Sequence, residues 1–245
     1  MNSTIMWLTC RQLFARRRIW FALAFALLPL AFTLLFRVVA DDGDASRVGF
    51  YHAMVREIIV GTLLPLAAVT FGTTAFGGEV DDGTLIYLLV KPIARWQIVI
   101  SKYIVSTLST FAVIVPAVVL PWFVVRNADL PFKAVTAFLI GAALASAIYS
   151  AFFLGLGLTT KRALVFGLIY VIGFEGVLSR SLGGLRVFSI REFANTVAQA
   201  VSAGSVVIPD AISMSSVKWM APIILVAATI WTMRTLARYE VAERL

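Results

Sequence analysis

Side chains able to do chemistry are scarce in this chain, and their scarcity narrows its functions first. There is one cysteine, Cys10, and one histidine, His52, so neither an intrachain disulfide nor a Cys/His metal cluster can be assembled. No Gly-x-x-x-x-Gly-Lys-Ser/Thr run occurs, which excludes ATP binding through a phosphate loop of the chain's own. The long apolar runs contain no His or Asp, so the dyad that an intramembrane hydrolase needs cannot form within them. What remains is a charged stretch, Gly77 to Lys102, and one carboxylate, Glu175, set between Gly173 and Gly176 in an otherwise apolar run. Charges at membrane depth tend to mark transport paths, which makes Glu175 a pathway candidate. A rise of about 1.5 Å per residue puts it near the far end of its helix, where an ion-paired or hydrated structural carboxylate is the competing reading.

The elements that must position these groups are read from composition and periodicity. With 60% hydrophobic residues, 14% charged and a mean hydropathy of +0.93, the chain is an integral membrane protein. Its net charge of +8 does not read as nucleic-acid binding, because the basic residues flank apolar runs instead of forming a patch with interleaved aromatics. Residues 2–18 carry Met6, Cys10 and Leu13 on one face and Arg11 and Arg18 on another, which predicts an interfacial helix, a positive-inside anchor, or both. Spans are predicted at about 19–36, 58–76, 103–125, 134–158, 163–177 and 220–236. Cleavage after Val38-Val39-Ala40 ranks below retention, since the preceding apolar run is longer than a signal core.

Several features inside these runs carry their own expectations. Pro116 and Pro121 predict kinks whose freed carbonyls need other donors. Ala143, Ala147, Ala151 and Gly155 recur every four residues, which allows close helix approach in internal packing or in a dimer contact. Residues 178–219 are too polar to span, yet Ser189-Ile190-Arg191-Glu192 is a capping box that starts a helix ending near Gly204. Ile190, Phe193, Ala194, Val197 and Val201 line one face of it, and Arg191, Asn195 and Gln199 another.

The expected fold class is therefore all-α. It is a polytopic membrane protein with a single transmembrane domain of six transmembrane helices over residues 1–245, an N-terminal interfacial helix and an extracytoplasmic amphipathic helix in the external segment 178–219. Placing both termini in the cytoplasm puts twelve Lys and Arg inside and nine outside, four of the nine in that long external segment. The location is then the cell (plasma) membrane, with membrane lipid as a surrounding partner and no nucleic acid.

Within Gly77 to Lys102, Asp81 and Asp82 ahead of Gly83-Thr84 predict a helix start, favoured by free N–H groups and the positive end of the macrodipole. Leu85, Ile86, Leu88 and Leu89 give that short helix an apolar face, and Lys91 before Pro92 ends it. Pro92 suits the first position of a second helix, in which Arg95 and Lys102 share a face. This order of helix, break and helix resembles the permease subunits of ABC-2 type ABC exporters. There a Glu is followed four residues later by Gly-Thr-Leu, then Pro-x-x-Arg, then a Lys at the base of the third span. Here those elements stand as Glu79, Gly83-Thr84-Leu85, Pro92-Ile93-Ala94-Arg95 and Lys102, about a tenth of the chain.

The resemblance implies that residues 77–102 are the coupling element that sits on a separate ABC ATPase subunit, through Glu79, Asp82, Gly83, Thr84, Leu85, Pro92, Arg95 and Lys102. It implies a second permease, an identical copy or a paralogue, and outward helices that cap the permease in the position of residues 189–203. ATP and Mg would be bound by the partner, with no cofactor in this chain, which is then not itself an enzyme. Two rival readings stand beside it. A secondary transporter would need midplane charges or broken helices in repeated halves, and only Glu175 hints at that; the other rival is a non-transporting assembly or scaffold protein. Asp82-Gly83 is also similar to the start of the metal site of membrane phosphatidyltransferases, but the Ala-Arg pair and later aspartates of that motif do not follow.

Overall fold

Backbone that enters a bilayer must satisfy its own hydrogen bonds, so apolar runs of this length fold as helices. In the computed structural model every regular element among the described residues is helical. Those residues are 3–13, 16–39, 44–85, 87, 90, 94–126, 130–181, 183–202, 204–208 and 211–242. In chain order the elements are α1 (Ser3–Leu13), α2 (Arg16–Val39) and α3 (Asp44–Ala53), which runs through a π-helical stretch (Met54–Leu63) into α4 (Leu64–Asp81). Next come α5 (Arg95–Val125), α6 (Phe132–Thr159) and α7 (Ala163–Ile169), which continues as a second π-helical stretch (Tyr170–Leu178). One turn at Ser179–Ser181 and a 3-10 helix (Gly183–Phe188) lead to α8 (Ile190–Ser202) and finally α9 (Met214–Ala242).

Among the described residues, four helices are long and apolar enough to cross a membrane: Arg47–Asp81, Arg95–Val125, Phe132–Thr159 and Met214–Arg238. Two shorter apolar helices, Ala24–Val39 and Ala163–Leu178, fall where the first and fifth spans are expected. Ala163–Leu178 covers at most roughly 24 Å at 1.5 Å per residue, short of the roughly 30 Å of a hydrocarbon core. The interfacial helix expected over residues 2–18 is shorter than that, because Arg16 to Arg18 already belong to α2. α1 packs on α5, where Met6, Trp7 and Cys10 face Val105, Leu108, Ser109 and Ala112 across an apolar cleft.

Lipid tails are as apolar as leucine, so membrane helices associate through close packing and not through expulsion of water. α6 is the hub of this packing, touching α4, α5, α7, α8 and α9, and glycines set the distances. A Cβ at Gly157 would lie 2.6 Å from the Thr73 carbonyl oxygen of α4, and one at Gly72 of α4 would lie 2.7 Å from Phe153 Cβ of α6. Gly155 meets Trp231 and Thr232 of α9 at 2.7 Å, and Gly141 lies against the Ala194 carbonyl of α8. Gly155 of the four-residue stripe thus serves internal packing. Near the prolines of α5, Tyr51 donates to the Val118 carbonyl at 3.2 Å, one residue from the Ala117 carbonyl that Pro121 cannot serve.

Candidate functional site

The junction between α4 and α5 gathers most of the expected coupling residues. α4 runs on through Glu79 to Asp81, and the chain leaves it in a Schellman turn. Thr84 N–H donates to the Glu79 carbonyl at 2.9 Å, Gly83 N–H donates to the Val80 carbonyl at 3.3 Å, and Gly83 has φ +66°. Among the described residues no atom lies within 4 Å of where a Gly83 Cβ would be, so the backbone angle is the reason for glycine there. This corrects the expected helix start at Asp81 and Asp82. Asp81 is the last residue of α4 and Asp82 its C-cap, because the glycine after them offers the left-handed turn that stops a helix.

Leu85 turns inward, 4% exposed, into a cluster with Phe76, Ile98, Val99, Leu13, Leu158 and Leu236. Asp82 and Thr84 beside it are exposed. Beyond it, Ile86, Leu88, Leu89, Lys91, Pro92 and Ile93 lie outside the described residues, and with them most of the expected short helix. α5 begins at Arg95, after Ala94 in extended conformation (φ −61°, ψ 129°), so Pro92 is not its first residue.

Lys102 departs most from expectation. It shares a face with Arg95 in sequence, yet Arg95 is exposed while Lys102 is 0% exposed. Its ammonium donates to Glu79 Oε1 at 2.7 Å and to the Ala75 carbonyl, and lies 4.6 Å from the centre of the Phe76 ring. A lysine so placed is not a handle for a partner; it is an internal strut between the ends of α4 and α5, and burying its charge is tolerable only because carboxylate, carbonyl and ring surround it. Glu79 is engaged twice, its carboxylate by Lys102 and its carbonyl by Thr84. The Ala75 carbonyl and Phe76 were not foreseen; the usable signal was that a lysine inside a span must find an acceptor close by.

Glu175 is not at a hydrated edge. It is 1% exposed and sits in the second π-helical stretch. Ser189 Oγ donates to its Oε2 at 2.6 Å, the Ile190 N–H to its Oε1 at 3.0 Å and Tyr170 Oη to Oε1 at 3.4 Å. The carboxylate thus meets the N–H groups at the start of α8, where a helix favours negative charge. Ser189 also accepts the Glu192 N–H at 3.3 Å, as the capping box requires, while its own N–H goes to the Arg186 carbonyl at 3.0 Å.

The helix expected at the outer surface is buried over its first nine residues. Every residue from Ile190 to Ala198 is buried, Arg191 and Asn195 included, because α8 is wedged against α6, α9 and the first π-helical stretch. Arg191 on its polar face is served from within: Arg191 Nη2 donates to Glu57 Oε2 at 2.6 Å, and Arg56 Nε donates to Glu57 Oε1 at 2.9 Å. Nothing in the sequence singles out Glu57, since its partner lies 134 positions away.

No curated protein matches the chain. The family model described as ABC-2 family transporter protein matches residues 13–176, which hold the α4 to α5 junction and the carboxylates of Glu57, Glu79 and Glu175. An apolar helical bundle, a junction built on Glu79, Gly83-Thr84-Leu85 and Lys102, and a family match over more than half of the length agree, and the chain belongs to the ABC-2 family of transporter proteins as a multi-pass membrane permease of ABC type.

Proposed function

We propose that this permease is the transmembrane subunit of an ATP-driven exporter and that residues 77–102 couple it to a separate ATPase subunit. The observation that carries this reading is the Lys102–Glu79 pair. It ties the end of α4 to the start of α5 at 2.7 Å, so a push on the connection between them moves both helices as one body. Asp82, Gly83, Thr84 and Arg95 are exposed around that junction and form the surface offered to the ATPase, while Glu79, Leu85 and Lys102 hold it rigid. In this reading the partner binds ATP and Mg, the chain itself performs no chemistry, and two permeases, identical or related, enclose the path. Both termini and the junction face the cytoplasm, in keeping with the basic residues near these ends.

The test is purification from membranes in mild detergent followed by ATPase assay in reconstituted vesicles. A soluble subunit with a phosphate loop is expected to co-purify, and its ATPase activity to be stimulated by the permease. Arg95→Glu and Thr84→Glu, both at exposed positions, are expected to reduce stimulation about tenfold while the permease remains folded, the scale of an unfavourable charge at a docking surface. Retention of full stimulation and full recovery of the complex by both variants would refute the coupling role.

A further inference from the structure

The two π-helical stretches, Met54–Leu63 and Tyr170–Leu178, touch each other and flank the start of α8. Wide turns of this kind are rare and occur frequently at functional sites. Each stretch here aims a carboxylate at the same helix end, but the two attachments differ in kind. Glu175 binds a hydroxyl and a backbone N–H and is fully buried. Glu57 binds the Arg191 guanidinium through a side chain that is 36% exposed and gives its other oxygen to Arg56, so this attachment is the more open of the two. Gly61 makes room for it, since a Cβ there would lie 3.2 Å from Arg191 Cζ and Nε.

The face of α8 that meets this stretch continues from Arg191 to Asn195 and Gln199, spaced four apart on one stripe. Asn195 Oδ1 and Gln199 Oε1 are buried without a hydrogen-bond partner among the described residues. A dry seam seldom leaves such groups unserved; a seam that admits water in another state serves them. A neighbouring flank of α8 is closed by backbone approach to Gly141 of α6. The rod Met54–Asp81 therefore carries an ion pair near each end, Glu79 with Lys102 and Glu57 with Arg191, roughly 33 Å apart at 1.5 Å per residue.

We propose that Glu57 and Arg191 are positioning residues that latch α8 to the α4 rod, and that release of this pair opens the seam lined by Asn195 and Gln199. Motion imposed on the rod at its Glu79 end then reaches α8 on the other side of the bundle; that last step rests on the ATPase-coupling reading, whereas the latch does not.

The experiment uses the full chain in membranes, in a Cys10→Ser background with Asn195→Cys as reporter, and reads the rate of modification by a hydrophilic maleimide. The parent labels slowly. Glu57→Gln is expected to speed labelling at least about tenfold, as loss of a charged hydrogen bond allows. Gly61→Ala, which crowds the guanidinium without removing a charge, is expected to shift the rate in the same direction by less. Exchanging the charges, Glu57→Arg with Arg191→Glu, is expected to restore slow labelling, which a loss of general packing would not permit. Equal rates in the parent, Glu57→Gln and Gly61→Ala would overturn the latch, and so would a charge exchange that labels as fast as the single variant. With the co-purified ATPase present, ATP is expected to speed labelling in the parent and not further in Glu57→Gln. If charge exchange rescues and ATP has no effect, the latch stands and the coupling reading falls.

Discussion

At the scale of single residues, the α4 to α5 junction predicts an asymmetry between its two charges. Glu79→Ala leaves the Lys102 ammonium buried without its carboxylate, and removal of one partner from a buried pair costs about 3–5 kcal/mol. Lys102→Met leaves Glu79, whose side chain is 21% exposed against 1% for Lys102, in the less buried place of the two, and the apolar chain fits beside Phe76; a smaller loss, about 1–2 kcal/mol, is expected. Thermal unfolding in detergent is the measurement, and equal losses would show that the pair is not the strut described. Gly83 and Gly77 form a second contrast. Gly83→Ala forces a side chain into the left-handed region at a cost of about 1 kcal/mol. Gly77, inside α4 with no atom of the described residues within 4 Å of a Cβ, gains up to about 1 kcal/mol on change to Ala through helix propensity. Opposite shifts in melting temperature are the expected result.

At the scale of elements, α8 behaves as a core helix. An amphipathic surface helix would suffer from Phe193→Asp and tolerate a charge at Asn195. Phe193 and Asn195 are 0% and 1% exposed, so Phe193→Asp and Asn195→Lys are both expected to lower the melting temperature by several degrees; the second places a cation one turn from Arg191 on a buried face. Gly141→Ala tests another flank of α8. Its methyl would meet the Ala194 carbonyl, a backbone atom unable to swing aside, and about 1–3 kcal/mol of overpacking is expected. A neutral Gly141→Ala in the same unfolding assay would mean that α8 stands farther from α6 than the contact implies.

At the scale of the whole molecule, orientation in the membrane is tested at exposed positions near opposite ends of the bundle. Thr84 is exposed beside the α4 to α5 junction, and Val207, between α8 and α9, is 74% exposed. In a Cys10→Ser background, Val207→Cys is expected to react with an impermeant thiol reagent on intact cells. Thr84→Cys should react only after the membrane is opened. The reverse pattern would invert the topology and place the junction away from any cytoplasmic ATPase. Positions such as Ser101 and Ser202, 0% and 1% exposed, would report burial in place of sidedness.

What the amino-acid sequence determined was local. Runs of apolar residues must be helical because each backbone group finds its partner four residues away, and most helices occur where hydropathy and the Ser189 cap put them, whereas α3 at Asp44–Ala53 lies in a polar stretch outside the expected spans. The grouping of Glu79, Gly83-Thr84-Leu85 and Lys102 was legible as a motif because its spacings are short and fixed. Why those residues are grouped was not legible. Gly83 stops one helix instead of following the start of another, and Lys102 faces inward, because the carbonyl of Ala75 and the ring of Phe76 come within reach only once α4 and α5 lie side by side. The same holds more strongly for Glu57 and Arg191, and for α8, whose periodicity describes an amphipathic surface helix. Tertiary structure alone decided that its polar stripe faces a carboxylate on a distant helix, since which helices become neighbours depends on the close approaches that Gly72, Gly141, Gly155 and Gly157 allow. A periodicity tells which residues share a face; only packing tells what that face meets.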